Sequence, residues 1–398
     1  VTSISCPVCG GGNSLRIDER AGVPILMHRL FDDAAAARAC AKVSIDLRRC
    51  EDCGFAWNAR FDAATMVYGP DYDNAQAHSP QFRAHLDERI DAIFAHVADR
   101  NEPQVIVEVG CGQGDFLARL IERQGKRVKA AFGFDPAWRG ADGDGPAGTK
   151  LYRRLFDASA SEAMAEAQPD IVISRHTIEH IAEPVAFLAA IRAGIGQRKG
   201  TRLFLETPDI RWIMHHKAFE DVFYEHCSIF DAESLALALR STGFEAVTVE
   251  ACFGAQYLWA KAIAGDPARD ELVSRRNPVE TTPIDSAAFS AEWRTTIAAW
   301  RGQSRETYLW GAGAKGMTFA QLVDPEARHL AGIIDLNPGK QNRHIGLSGH
   351  IVLAPDALRG RPPLAIIVMN PVYLPEIRSL IEALGVDAII APLHGEAP

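Results

Sequence analysis

Apolar positions along the chain change period in an ordered way. An apolar run at residues 105–109 is followed at once by glycines, and then by a stretch at 116–121 whose apolar residues recur at helical spacing, so the order reads strand, glycine loop, helix. Strand-like runs recur at 130–134, 170–174 and 203–206, and the periodic stretch 234–239, stopped by Thr242 and Gly243, reads as a helix. Runs at 245–250 and 256–263 then follow one another with no helix between them. Parallel neighbours need a long crossover, so this pair is expected to close the sheet antiparallel. The proline- and arginine-bearing segment 265–285 reads as a linker, with a helix expected at 286–299. A second strand, glycine loop and helix follow at 308–322, with further strands expected at 331–334, 365–369 and 388–390.

These patterns divide the chain into a cysteine module (1–62), a helical connector (63–100), a first α/β unit (101–264), a linker with a helix (265–304) and a second α/β unit (305–398). No motif repeats between the two α/β units, although their glycine loops suggest related folds. The 398 residues, 47% hydrophobic and 23% charged, are the composition of a folded globular protein. A net charge of −9 argues against a basic surface for nucleic acid. No run approaches the roughly 18 apolar residues of a membrane helix, and no signal-peptide pattern opens the chain, so a cytoplasmic protein is expected.

Four of the eight cysteines form two knuckles of one form, Cys6-Pro-Val-Cys9-Gly and Cys50-Glu-Asp-Cys53-Gly. Four thiolates in two CxxC turns can converge tetrahedrally on one zinc, leaving no open position, which makes the expected metal structural. His28 and Cys40 lie between the knuckles as substitute ligands. The other cysteines are scattered, which points to a reducing compartment and not to a disulfide framework.

The loop Glu108-Val-Gly110-Cys111-Gly112-Gln113-Gly114 lets a ligand approach the backbone at a helix N-terminus, and Asp135 ends the next strand where a carboxylate meets ribose hydroxyls. Asp157, after the third strand, either meets an adenine or caps the helix that follows it. After the fourth strand, His176-Thr-Ile-Glu179-His180 imitates a zinc-protease pattern. It sits at a strand end and not within a long helix, so it reads instead as the rim of a ligand crevice. Beyond the fifth strand, Tyr224-Glu225-His226 offers groups for acid/base work, while His215 and His216 read as surface residues.

The motif EVGCGQGDFL, with the terminal strand pair, resembles the class I S-adenosylmethionine methyltransferases. This resemblance implies a Rossmann-like methyltransferase sheet and that cofactor, held by Glu108, Gly110, Cys111, Gly112, Gln113, Gly114, Asp135 and Asp157. Over nearly the whole chain the order of parts is similar to the sugar C-methyltransferases that act on nucleotide-linked 4-keto-deoxysugars, most distinctively in WGAGAKG (310–316) and IDLNPGKQNR (334–343). The resemblance implies an N-terminal zinc module, a C-terminal Rossmann-like domain, and methyl transfer to a carbon beside a ketone. His226 assisted by Glu225 would take the proton, and His180 or Tyr224 would steady the enolate.

The chain departs from that family where substrate is expected. Phe223 stands for the family's tyrosine, Tyr224 for its first histidine, and Arg175 and His176 for a pair of asparagines. Its aromatic-serine segment appears around Tyr72 and His78. Arg175 either pairs with an acceptor phosphate or anchors an acidic loop. Lys315 in the second glycine loop, with Asn370 and Tyr373, would meet the acceptor, unless that loop only packs strand on helix. O- or N-methylation of a related sugar or other metabolite is the alternative chemistry, and a non-catalytic scaffold the alternative of another class.

Overall fold

Runs of β-branched and aliphatic residues bury both faces of the central sheet. In the computed structural model, which describes residues 5–67, 78–265 and 283–394, Val107, Val109, Val172, Leu203 and Leu205 belong to one apolar cluster. Their neighbours Ile106, Ile171, Ile173 and Phe204 belong to another on the opposite face. A strand alternating between two dry faces needs cover on both, which is the condition of a parallel sheet. The seven strands run in the order Phe244–Cys252, Tyr257–Ala264, Arg202–Pro208, Ile171–Arg175, Gln104–Val109, Val128–Phe134 and Lys150–Tyr152. Tyr257–Ala264 pairs antiparallel with both neighbours, as the missing crossover required. The helix Pro80–His96, capped by Ser79 with proline in its first turn, lays Phe82, Leu86, Ile90 and Ile93 on one face of this sheet.

The C-terminal sheet is wholly parallel, in the order Val352–Leu353, Leu330–Ile334, Glu306–Trp310, Leu364–Val368 and Ala388–Pro392. Its glycine loop repeats the hydrogen bonds of the first. The N–H of Gly112 donates to Asp135 Oδ2 at 2.8 Å and that of Ala312 to Asp335 Oδ2 at 2.7 Å, each spanning 23 residues. Gly110 and Gly311 likewise donate to Phe134 and Ile334 at 2.8 Å. The kinship of the two units lies in this backbone pattern, which no shared motif announces.

The N-terminal module is a long hairpin, Ser14–Pro24 against Lys42–Cys50, extended by Ala56–Asn58. Its fourth strand, Ser228–Ile229, comes from the far end of the chain's central unit. A second short sheet, Leu30–Phe31 with His344–Ile345, ties the module to the C-terminal unit. These joints arise from long-range pairing and have no local signal. Most of the expected linker and Tyr72 lie outside the described residues; the helix beyond the linker runs Ser286–Gly302. Among the described residues no helix is long and apolar enough to cross a membrane.

Candidate active site

Strand Gln104–Val109 delivers the chain to Gly110, and helix Asp115–Gln124 begins beyond Gly114, so the loop's N–H groups converge at a helix N-terminus. A Cβ on Gly112 would meet nothing within 4 Å, which leaves the loop open to a ligand there. Asp135, half-buried at the end of the neighbouring strand, accepts N–H groups from Gly112 and from Ala137 (2.7 Å). Burial pushes its carboxyl upward, against the pull of those two donors. Gln113 braces the same turn by donating to the Ala137 carbonyl at 2.8 Å. Glu108 is buried with Oε2 lacking a hydrogen-bond partner, and burial raises its carboxyl to about 8. An orphaned buried carboxylate oxygen beside an open glycine loop fits a ligand that brings a cation, as the ammonium and sulfonium of S-adenosylmethionine do. Burial also drives the Cys111 thiol well above its ordinary value, with Glu108 and Asp135 adding to the effect. Asp157 takes the capping role, accepting the Ala160 N–H at 3.1 Å ahead of helix Ala158–Ala167.

At the end of the fourth strand, Arg175 turns from the acceptor role toward the anchoring one. Its Nε donates to Glu206 at 2.7 Å, and its guanidinium lies over the Phe116 ring, 4.4 Å from the centroid. Glu206 is fully buried and also paired with His85 Nε2 at 2.5 Å. Burial alone would raise its carboxyl, but Arg175, His85 and His176 together hold it well below the carboxylate range. The sequence reading missed His85, whose partner lies 121 residues away.

A cavity opens between the central sheet and the C-terminal unit. His176, Glu179, His180, Phe223, His226 and Tyr257 line it from one side, with His28 from the N-terminal module and His78 from ahead of helix Pro80–His96. Gly311, Gly313, Lys315, Met369, Asn370 and Tyr373 line it from the other. The rings of His180 and His226 stand 5.0 Å apart and nearly perpendicular, and Glu179, His180 and His226 bring donor atoms within 4.8 Å of one another. Burial lowers both histidines, which favours the uncharged imidazole, and His226 is lowered further through the nearby His180 and His176. Phe223 packs on His226 with centroids 3.8 Å apart. His176, in a left-handed backbone conformation, reaches Glu179 at 3.3 Å and meets the Tyr257 ring edge-on.

Two residues expected at the enolate turn elsewhere. The Tyr224 hydroxyl accepts the Asp62 N–H at 2.8 Å, and the buried Glu225 carboxylate accepts the N–H of Met27. Neither is among the described residues lining the cavity, because the N-terminal module claims that side of the loop. Lys315 donates to Asp221 at 2.7 Å and Gln256 at 2.9 Å, and Asn370 exchanges side-chain hydrogen bonds with Gln256 at 2.8 and 3.0 Å. Both line the cavity while tying its two walls together. His216, read as a surface residue, is half-buried and stacked on Trp212, 4.4 Å between centroids.

In the cysteine module, Cys6 and Cys53 bring their sulfurs to 3.6 Å, as do Cys9 and Cys50. Four thiolates around one ion at a metal–sulfur length of about 2.3 Å would stand about 3.8 Å apart, so the cluster fits a tetrahedral ion. His28 faces the cavity and Cys40 lies beside Gly346, so neither joins the four-thiolate group.

Residues 82–249 match a family described as a methyltransferase domain. Among solved structures, the chain is similar to a SAM-dependent methyltransferase from Archaeoglobus fulgidus (14% identity, 48% of this chain and 100% of that one, TM-score 0.36). It is also similar to magnesium protoporphyrin IX methyltransferase from Synechocystis PCC 6803 (14%, 48% and 86%, TM-score 0.33). An O-methyltransferase family protein from Burkholderia thailandensis matches at 15% identity over 47% of this chain, which spans 60% of that protein, at TM-score 0.34. Among curated proteins none matches. The matched segment is a class I S-adenosylmethionine-dependent methyltransferase domain, and it holds the open glycine loop, Asp135 and the parallel strands of the central sheet.

Proposed function

We propose that the enzyme methylates a carbon beside a ketone on a nucleotide-linked deoxysugar bound in the cavity between the central and C-terminal units, with zinc in the four-thiolate site. The observation that carries this reading is the pair of half-buried imidazoles, His180 and His226, 5.0 Å apart on the cavity wall opposite a second glycine loop. A carbon nucleophile must lose a proton before it attacks, and a neutral imidazole is the side chain able to take one at pH 7. S-adenosylmethionine, held at Gly112 and Asp135, supplies an electrophilic methyl group when bound.

His226 takes the proton, and His180 donates a hydrogen bond to the developing oxyanion. Phe223 lies against His226 and fixes the plane of its ring. Gly313, Ala314 and Lys315, at the N-terminus of helix Ala314–Val323, line the cavity, and a helix N-terminus there suits the anionic part of the acceptor. The carboxylates Asp221, Asp335 and Glu376 keep the rest of the wall polar, as a hydroxylated ligand requires.

Incubation with S-adenosylmethionine and a panel of nucleotide-linked 4-keto-6-deoxysugars, read by fragmentation mass spectrometry, tests the reading. A methyl gain on sugar carbon is expected, with deuterium entering at the same carbon from heavy water when the cofactor is left out. A methyl found on oxygen or nitrogen, with no exchange at carbon, would replace enolate chemistry by heteroatom methylation.

A further inference from the structure

We propose that the N-terminal module is the device that aims His226, and that Glu225 is a positioning residue and not the proton acceptor; the proposal rests on the assignment of His226 to the reacting cavity. The loop from Phe219 to Asp231 is held along its length by groups from this module. Arg20, buried with Asp18, donates to the carbonyls of Phe219 (2.7 Å) and Val222 (2.9 Å). The Met27 N–H donates to Glu225 and the Asn58 N–H to the Cys227 carbonyl at 3.0 Å. Ser228 and Ile229 then pair with Trp57 and Ala56. Asp221, Phe223 and His226 are the members of the run that line the cavity. The module fastens one side of an irregular loop and thereby sets which side chains point the other way.

The thiolate site stands at the root of this clamp. Cys50 ends the strand Lys42–Cys50, and Cys53 lies three residues before the strand that pairs with Ser228–Ile229. Arg49, next to Cys50, donates to the Gly54 carbonyl inside the knuckle (3.0 Å) and to the buried Asp231 (3.2 Å), the residue that closes the loop. A metal that fixes the knuckle therefore fixes both ends of the path to His226, although its own four ligands leave no position for chemistry. A geometric error of about 1 Å at a reacting group costs on the order of 100-fold in rate, so such a clamp matters to turnover without touching substrate.

Hydrogen–deuterium exchange on the full-length, zinc-loaded protein tests this without any acceptor. Glu225→Ala, and separately Cys50→Ser with Cys53→Ser, should raise exchange in peptides spanning 219–231 about tenfold or more. Protection across 104–134 and the affinity for S-adenosylmethionine, measured by calorimetry, should stay within about twofold. Glu225→Gln keeps an oxygen to accept the Met27 N–H, so it should restore protection in the loop. Once an acceptor is in hand, it should also restore most of the kcat that Glu225→Ala loses, with little change in KM. Unchanged exchange at 219–231 in Glu225→Ala would overturn the proposal. So would a Glu225→Gln protein that is protected like wild type yet transfers no methyl, because the carboxylate would then be the proton acceptor. Should the double cysteine variant fail to fold, the two Glu225 variants decide alone. A panel in which no sugar is methylated leaves the exchange measurement intact and counts only against the assigned chemistry.

Discussion

Replacing Gly112 with alanine separates what the glycine loop does for the fold from what it does for the cofactor. Gly112 adopts a φ of +54°, where an L-residue costs about 1–2 kcal/mol more than glycine, and its added Cβ would meet no atom within 4 Å. At about 2–4 °C per kcal/mol for a domain of this size, the melting temperature should fall by only a few degrees. The methyl group would stand in the space where a ligand must approach the backbone. Losing about 2–3 kcal/mol of close contact there weakens S-adenosylmethionine about 30- to 150-fold. Gly110→Ala is the opposite case. Its φ is +78°, and its Cβ would lie 1.9 Å from Thr177 Oγ1 and 2.8 Å from Thr177 Cβ. Thr177 is bonded to the Arg175 carbonyl at 3.0 Å, so it cannot step aside without moving the strand end that carries His176. Overpacking adds about 1–3 kcal/mol to the backbone strain, for a melting temperature lower by about 10 °C. Differential scanning fluorimetry beside calorimetric titration reads both quantities. A Gly112→Ala protein that binds the cofactor as wild type does, or that melts as early as Gly110→Ala, would refute the reasoning.

Glu108 keeps its proton in the fold to about pH 8, while the unfolded chain releases it near 4.5, so this group withdraws stability as pH rises between those values. Glu108→Gln should therefore match wild type at pH 4.5 and exceed it by about 3 kcal/mol at pH 7, measured by urea unfolding across that range. Glu206 runs the other way: its carboxyl is depressed, so its contribution is present above about pH 4.5 and lost as pH falls below. Glu206→Gln leaves Arg175 buried beside a neutral partner and should cost about 3–5 kcal/mol at pH 7, with a flatter acid limb in the same assay. Elemental analysis should find one zinc per chain, and Cys6→Ser should lower that occupancy while S-adenosylmethionine still binds. Two zincs per chain would place a further ion elsewhere.

The cofactor half of the site was legible because its signals are local. Glycines at three fixed positions, a strand before them and an acidic residue closing the next strand all lie within about 30 residues, the scale of one βαβ unit. The acceptor half was not, because in an irregular loop no period tells which side chains share a face. Tyr224, Glu225 and His226 read as three equivalent polar groups. What divides them is the Asp62 N–H, 162 residues from Tyr224, and the Met27 N–H, 198 residues from Glu225. Arg175 and His85 were opaque for the same reason, since each finds its meaning in Glu206 on another strand. Phe223 shows the limit most plainly: read as the loss of a family tyrosine, it is the residue packed against His226 inside the cavity. A hydroxyl missing from the sequence says that one donor is gone, whereas the geometry shows what the ring does in its place. The groups that reach the cavity beside His226 come from other elements, His176 and His180 from beyond the fourth strand and His28 from the N-terminal module, and the proposed chemistry would have to draw on them.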